Sequence, residues 1–230
     1  MKSLYESILD DEDVLIGNTK DDAYARTLIE KIKKGIRLNK DEVKWCSLHT
    51  AVIRVTNEQL KEIIRHLKKI NSKISLNWID VSRITDMSFM FYESKFNGDI
   101  SKWDVSKVKN MYGMFWSAKS FNQPIGDWDV SKVINMSYIF RDAESFNQPI
   151  GDWNVSNVTD MLSMFEEAYS FNQPIGDWDV SNVNDVAHMF SNAESFNQDL
   201  SKWKLKSDCE KYCMFSYCRM KQEFKPKGIE

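Results

Sequence analysis

Groups able to do covalent or metal chemistry are few in this chain and lie far apart. The cysteines are Cys46, Cys209, Cys213 and Cys218, and the histidines are His49, His66 and His188. The last three cysteines lack the CxxC knuckle of a structural zinc site, and no histidine lies near them in sequence. No local motif pairs Cys46 or Cys209 with a histidine base. Phosphate loops, HExxH and GxSxG are absent. Asp127 with Asp129, and Asp177 with Asp179, have a spacing that could serve calcium. Asn154 breaks the pattern between them, and solvated turn acids are the favoured reading. The expectation is a non-enzymatic protein with no metal and no cofactor.

Non-covalent recognition is the chemistry that remains, and its residues are set on a repeat. Phe96, Phe121, Phe146, Phe171 and Phe196 recur at one constant interval, and Trp103, Trp128, Trp153, Trp178 and Trp203 recur at the same interval. Trp78 precedes the Trp series by the same step, with a one-residue slip after it. A fixed period of this length marks stacked units, none of which can bury its own apolar face. In the unit 145–169, Met161, Met164, Phe165 and Ala168 fall at i, i+3, i+4 and i+7, which predicts one face of a two-turn helix. Asn110, Asn135, Asp160 and Asp185 precede these runs as candidate N-caps. The half containing Pro149 and Gly151 predicts a short strand or turn. The Asn97, Asn122, Asn147, Asn172 and Asn197 ladder reads as backbone satisfaction, and the Trp ladder as core.

Positions that differ between units carry the candidate site. The four columns headed by Lys109, Tyr112, Gly113 and Trp116 vary freely from coil to coil and are expected on the helix face opposite the Met/Phe core. The binding residues expected from this and from charge are Tyr112, Trp116, Tyr138, Arg141, Asp142, Leu162, Glu166, Glu167 and His188. Large exposed aromatics are common interface anchors. The formal net charge is only -3, but 142–201 contains no Lys or Arg and eleven acids. Rows of acids give a coherent negative field that steers a basic protein partner. Residues 31–73 are basic; a solvated helix face is favoured there over direct nucleic-acid contact.

The string Ser-Phe-Asn-Gln-Pro-Ile-Gly-Asp-Trp-Asp-Val-Ser-Asn-Val, with Met-x-x-Met-Phe following, resembles the BspA-like leucine-rich-repeat surface-protein family from about Trp78 to Phe215. The resemblance implies a leucine-rich-repeat solenoid working in adhesion, carbohydrate binding or protein recognition. The expected fold is thus α/β: a right-handed LRR-like solenoid of about six coils over 73–215, each a short strand or turn plus a short helix. A mainly helical capping segment over 1–72 and a tail over 216–230 flank it. Helices are expected over 4–9, 23–36 and 60–70, with a strand over 51–55; Thr56 and Gln59 suggest a capping box. The opening residues have no apolar core of the signal-peptide kind, and no apolar run reaches membrane-helix length, so a cytoplasmic location without membrane contact is expected. The leading function is protein recognition, with inhibition of a basic or nucleic-acid-binding protein by charge mimicry as its sharper form. A surface adhesin is the alternative.

Overall fold

The computed structural model describes residues 19–50, 52–67 and 73–229. Three helices open it: α1 (Thr19–Lys33), α2 (Lys40–Leu48) and α3 (Asn57–Leu67). α1 stops where Gly35 takes a left-handed φ of 68°; the amides of Gly35 and Ile36 return to the carbonyls of Ile32 and Lys31, a Schellman closure. α2 starts at Asn39, whose side chain accepts from the amides of Asp41 and Glu42 while Glu42 reaches back to the Asn39 amide. Thr56 and Gln59 make the same reciprocal pair before α3. α3 buries Leu60, Ile63, Ile64 and Leu67. The helix expected over 4–9 and the end of the one expected to residue 70 lie outside the described residues.

Between α2 and α3, strand β1 (Ile53–Arg54) pairs in parallel with β2 (Ile79–Asp80), Ile53 opposite Ile79 and Arg54 opposite Asp80. Arg54 Nε also donates to Asp80 Oδ2 at 2.8 Å. From there the repeats stack. The amides of Met111, Gly113, Phe115 and Ser117 donate to the carbonyls of Asn135, Ser137, Ile139 and Arg141 at 2.8–2.9 Å. The equivalent residues of the next coil, Met136, Tyr138, Phe140 and Asp142, donate one coil further on to Asp160, Leu162, Met164 and Glu166. Six such segments succeed one another, at 87–94, 111–118, 136–143, 161–168, 186–193 and 211–218.

These segments are not the two-turn helices that the Met/Phe spacing predicts. Each is a chain of β-turns, with Met114 donating to Met111, Trp116 to Gly113 and Ala118 to Phe115. The third residue of alternate turns has positive φ: Gly113 and Ser117, then Tyr138 and Asp142, Ser163 and Glu167, His188 and Asn192. The physical reason lies in the amides. A helix would spend them within its own coil and would be marginal at two turns. The turns instead aim every second N–H along the stack, where a carbonyl waits. The short strand or turn expected in the half containing Pro149 and Gly151 is turn and irregular chain with no bridge, and parallel bridging falls instead on one residue per coil just before each run of turns: Asp86, Asn110, Asn135, Asp160, Asp185 and Glu210. Asp86, Asn110, Asn135 and Asp185 do accept an amide, but from two residues ahead in an Asx turn, as Asn135 does from Ser137 at 2.8 Å, while Asp160 accepts from the Thr159 hydroxyl.

One apolar core runs from Ala25 in α1 to Met220, so the helical segment and the repeats share it. Phe91, Phe115, Phe140, Phe165, Phe190 and Phe215 form a column of near-parallel rings 5.3–5.7 Å apart. Offset stacks of this kind add about 0.5–1.5 kcal/mol per pair beyond area burial. The ladder residues Trp103, Trp128, Trp153, Trp178 and Trp203 are buried, and the Nε1 of each donates to a carbonyl of the preceding coil; Trp153 reaches Ile125 at 3.1 Å. Asn97, Asn122, Asn147 and Asn172 each accept twice from the following coil, and Asn197 accepts the Lys221 amide: Asn147 Oδ1 takes the Asn172 amide and Gln173 Nε2, both at 2.9 Å. Gly151 lies directly under the next coil, where a Cβ would come within 2.4 Å of the Pro174 carbonyl oxygen.

Trp153→Ala is expected to cost about 3–5 kcal/mol in urea unfolding; a loss under about 1 kcal/mol would remove this ring from the core. Gly151→Ala is expected to cost about 1–3 kcal/mol, because the next coil's backbone has to move.

Candidate functional site

The larger side chains at the positive-φ and neighbouring positions leave the stack on one face, while the small Ser137, Ser163, Ala187 and Ser191 stay buried. There Phe89, Tyr92, Tyr112, Trp116 and Tyr138 join into one strip across three coils. Phe89 meets Tyr112 at 5.1 Å, Tyr92 meets Trp116 at 5.3 Å, and Tyr138 meets both Tyr112 and Trp116 at 5.2 Å. Phe89 is 43% exposed and the other four are half-buried. The Arg141 guanidinium closes the strip, 5.3 Å from the Trp116 ring centre and 5.6 Å from that of Tyr138. It is also paired with Glu166 at 3.3 Å.

Beside the strip the face turns acidic. Asp142 accepts from Ser117 Oγ at 2.9 Å, and Lys119 bridges Asp142 and Glu144 at 3.4 and 2.8 Å. The Glu144 carboxylate foremost, then Asp142, pushes the Lys119 ammonium pKa up. Exposed Tyr169 sits among four acids: partial burial, then Glu167, Asp142, Glu144 and Glu194, push its phenol pKa up. The arrangement can therefore offer a partner flat aromatic area, one guanidinium and a field of carboxylates.

Of the residues expected from sequence, Tyr112, Trp116, Tyr138, Arg141 and Glu166 meet directly. Asp142 joins them through the neighbouring Ser117 and Lys119 row, and Glu167 through Tyr169. Leu162 is half-buried one coil beyond Tyr138, to whose amide its carbonyl is bonded at 2.8 Å. His188 stands apart, edge-on to Tyr212 at 5.1 Å. The Lys109 column is a backbone row instead, in which Ile134, Thr159 and Asn184 each donate an amide to the coil before. Phe89, Tyr92, Lys119 and Tyr169 belong to the face and were not among the expected residues. Aligning Met87-x-x-Met90-Phe91 on Met111-x-x-Met114-Phe115, a step one residue short of the full period, brings out the first two.

Among the described residues, no group of three or more His, Cys, Asp or Glu side chains could hold a metal ion. Burial pushes the Cys46 thiol up to about 12, and also raises Cys209 and Cys218. His49 stacks on Trp45 at 4.0 Å, and His66 Nδ1 is bonded to the Lys33 carbonyl at 3.0 Å, so both lie in the packing of the helical segment. No helix among the described residues is long and apolar enough to cross a membrane.

Fold and face together define a repeat protein: near-identical coils stacked on a helical segment, with the coil-to-coil differences gathered on one side. The family described as "Mycoplasma protein of unknown function, DUF285" matches twice, over residues 58–162 and 125–226, and the chain belongs to it. The two matches overlap, as an internal repeat dictates. No curated protein and no solved structure matches the chain.

Alkylation by iodoacetamide at pH 8 is expected to label exposed Cys213 first and to leave Cys46 unmodified until the protein unfolds, because the buried thiol holds its proton. Peptide mapping over time checks the order, and early labelling of Cys46 would contradict it.

Proposed function

We propose that the repeat array is a non-enzymatic protein-recognition module that binds a partner with a basic surface through the aromatic strip and its acidic flank. The observation that carries this is the continuity of the two surfaces: Arg141 lies on Trp116 and Tyr138 on one side and pairs with Glu166 on the other. Aromatic anchors supply affinity at protein interfaces, and a one-signed flank supplies steering and register. Between Arg141 and Lys202 the sequence contains eleven acids and no Lys or Arg. Inhibition of a nucleic-acid-binding protein fits this charge, since carboxylate rows present what phosphates present. In this reading the stack is a right-handed solenoid related to the BspA-like leucine-rich repeats, working in the cytoplasm; the repeated motif supports the kinship.

A second reading, adhesion to a glycan at a cell surface, is favoured by the Trp116 and Tyr138 rings, which lie within 18° of parallel and are partly open to solvent. Glycan-array binding lost on Trp116→Ala would support it, and strictly cytosolic protein on fractionation would count against it.

Quantitative pull-down from the native cell is the test of the first reading. Trp116→Ala with Tyr138→Ala is expected to lower recovery of the retained protein by about tenfold or more, as loss of a hot spot does. Glu166→Lys with Glu167→Lys is expected to weaken binding and flatten its salt dependence. Recovery unchanged in both double variants would remove this face as the contact.

A further inference from the structure

The C-terminal coil reverses the charge of an edge that the three coils before it keep acidic, the first coil having Lys102 and Asp104 about Trp103. Asp127, Trp128 and Asp129 become Asp152, Trp153 and Asn154, then Asp177, Trp178 and Asp179, and then Lys202, Trp203 and Lys204. Two residues on, Ser131, Ser156 and Ser181 give way to Lys206. At position 204 the exchange removes a turn contact. Asp129, Asn154 and Asp179 each accept the amide of the serine two residues later, at 3.0, 3.2 and 3.0 Å, and a lysine at 204 cannot. Three ammonium groups so close in sequence also repel one another.

These lysines surround an open cleft of about 490 Å³. Lys202, Lys204, Lys206, Lys211 and Lys227 line it with Ser201 and Ser207, over apolar Trp203, Leu205 and Ile229; among the described residues no carboxylate side chain is in the lining. Lys206 Nζ is held by the Asn182 carbonyl and Asn184 Oδ1, at 2.8 and 2.7 Å. Lys202 Nζ bridges to Asp177 at 2.7 Å, with both side chains exposed, a pair of the kind that is worth little in water. Among the described residues, Lys204, Lys211 and Lys227 have no acidic partner within 4.0 Å, and the Lys211 amide has no acceptor.

We propose that this cleft binds a small organic phosphate carrying two or more negative charges. The lysines are compact point charges of the kind that hold phosphate, and the serine hydroxyls add neutral donors. The Trp203, Leu205 and Ile229 floor takes an apolar portion of the ligand. The volume falls in the range of small-molecule sites. The site lies apart from the aromatic strip and stands or falls independently of the proposed protein-recognition role.

Calorimetric titration of the full chain with tripolyphosphate and with adenosine triphosphate, in separate runs, tests this. Saturable one-site binding of both is expected, tighter for the nucleotide because of its ring. Lys204→Glu with Lys211→Glu is expected to weaken it by about tenfold or more. Lys107→Glu with Lys132→Glu makes the same change in net charge on exposed lysines elsewhere, and is expected to change it by no more than about twofold. Wild-type amide shifts at Lys211 and Gly228 on titration would locate the ligand even if a variant failed to fold. No saturable heat, equal loss in both double variants, or binding confined to phosphoinositide vesicles or to oligonucleotides would overturn the proposal.

Discussion

Backbone amides that donate along the stack, from one coil to the next, are the constraint on which the rest of this structure depends. A coil built only of turns has almost no internal hydrogen bonding of helical or strand type to fall back on. Its amides are buried beside Phe and Trp rings, and an unpaired buried amide costs about 1–3 kcal/mol. The neighbouring coil supplies the acceptors, and the side-chain ladders run with the backbone: ladder asparagines accept from the next coil, and Trp indoles donate to the one before. Stacking is therefore a condition of forming a coil at all. The same requirement explains the helical segment. The amides of Val52, Ile53 and Val55 reach the carbonyls of Trp78 and Asp80, and the Asn57 side chain donates to the Asp86 carbonyl at 3.1 Å. An unrelated sequence thus supplies the donors that a preceding coil would have supplied.

The core was legible in the sequence because stacking demands identity. A ring that touches its own copy above and below cannot change size in one coil without a void or a clash in two others. Phe, Trp, Met and Asn therefore recur once per coil and announce their burial. The local conformation was less legible. Met161, Met164, Phe165 and Ala168 lie at helical spacing, but a run of overlapping turns returns residues to one side at similar intervals, so periodicity alone did not separate the two. A finer signal was present. The positions that take positive φ are occupied by Phe89, Glu93, Gly113, Ser117, Tyr138, Asp142, Ser163, Glu167, His188, Asn192, Cys213 and Tyr217, with no β-branched residue among them. Val, Ile and Thr pay most in that region of backbone space. Four of the six residues in the register one before, by contrast, are Tyr or apolar: Tyr112, Leu162, Ala187 and Tyr212.

The candidate face emerged largely intact from a wrong secondary structure, and the reason is physical. Whether helix or turns, a segment whose Met and Phe residues point inward leaves the larger residues between them facing outward, with Ser137, Ser163 and Ala187 buried, and stacking sets the outward ones in rows. Tyr112, Trp116, Tyr138 and Arg141 converge under either description. Phe89 and Tyr92 escaped because the first interval is one residue shorter than the later ones, which moves them off the column that those repeats define. Lys119 escaped because it looks like a lone surface cation until the next coil brings Asp142 and Glu144 beside it.

Rows of side chains one coil apart also limit what such a surface can carry. Identical charges stacked at this spacing repel, so a long acidic row is unstable unless it is interrupted or compensated. The chain does both. Arg141 separates Trp116 from Glu166 in one column, and Ser191 follows Glu166 rather than another acid. Lys119 answers Asp142 and Glu144 across a coil boundary, and Lys202 answers Asp177 in the same way. Around Tyr169, Lys119 pairs with Asp142 and Glu144, while Glu167 and Glu194 have no ion pair among the described residues. Such uncompensated charge is tolerated only because the ladder beneath carries the stability. That separation lets one face specialise in recognition while the opposite columns stay fixed by packing.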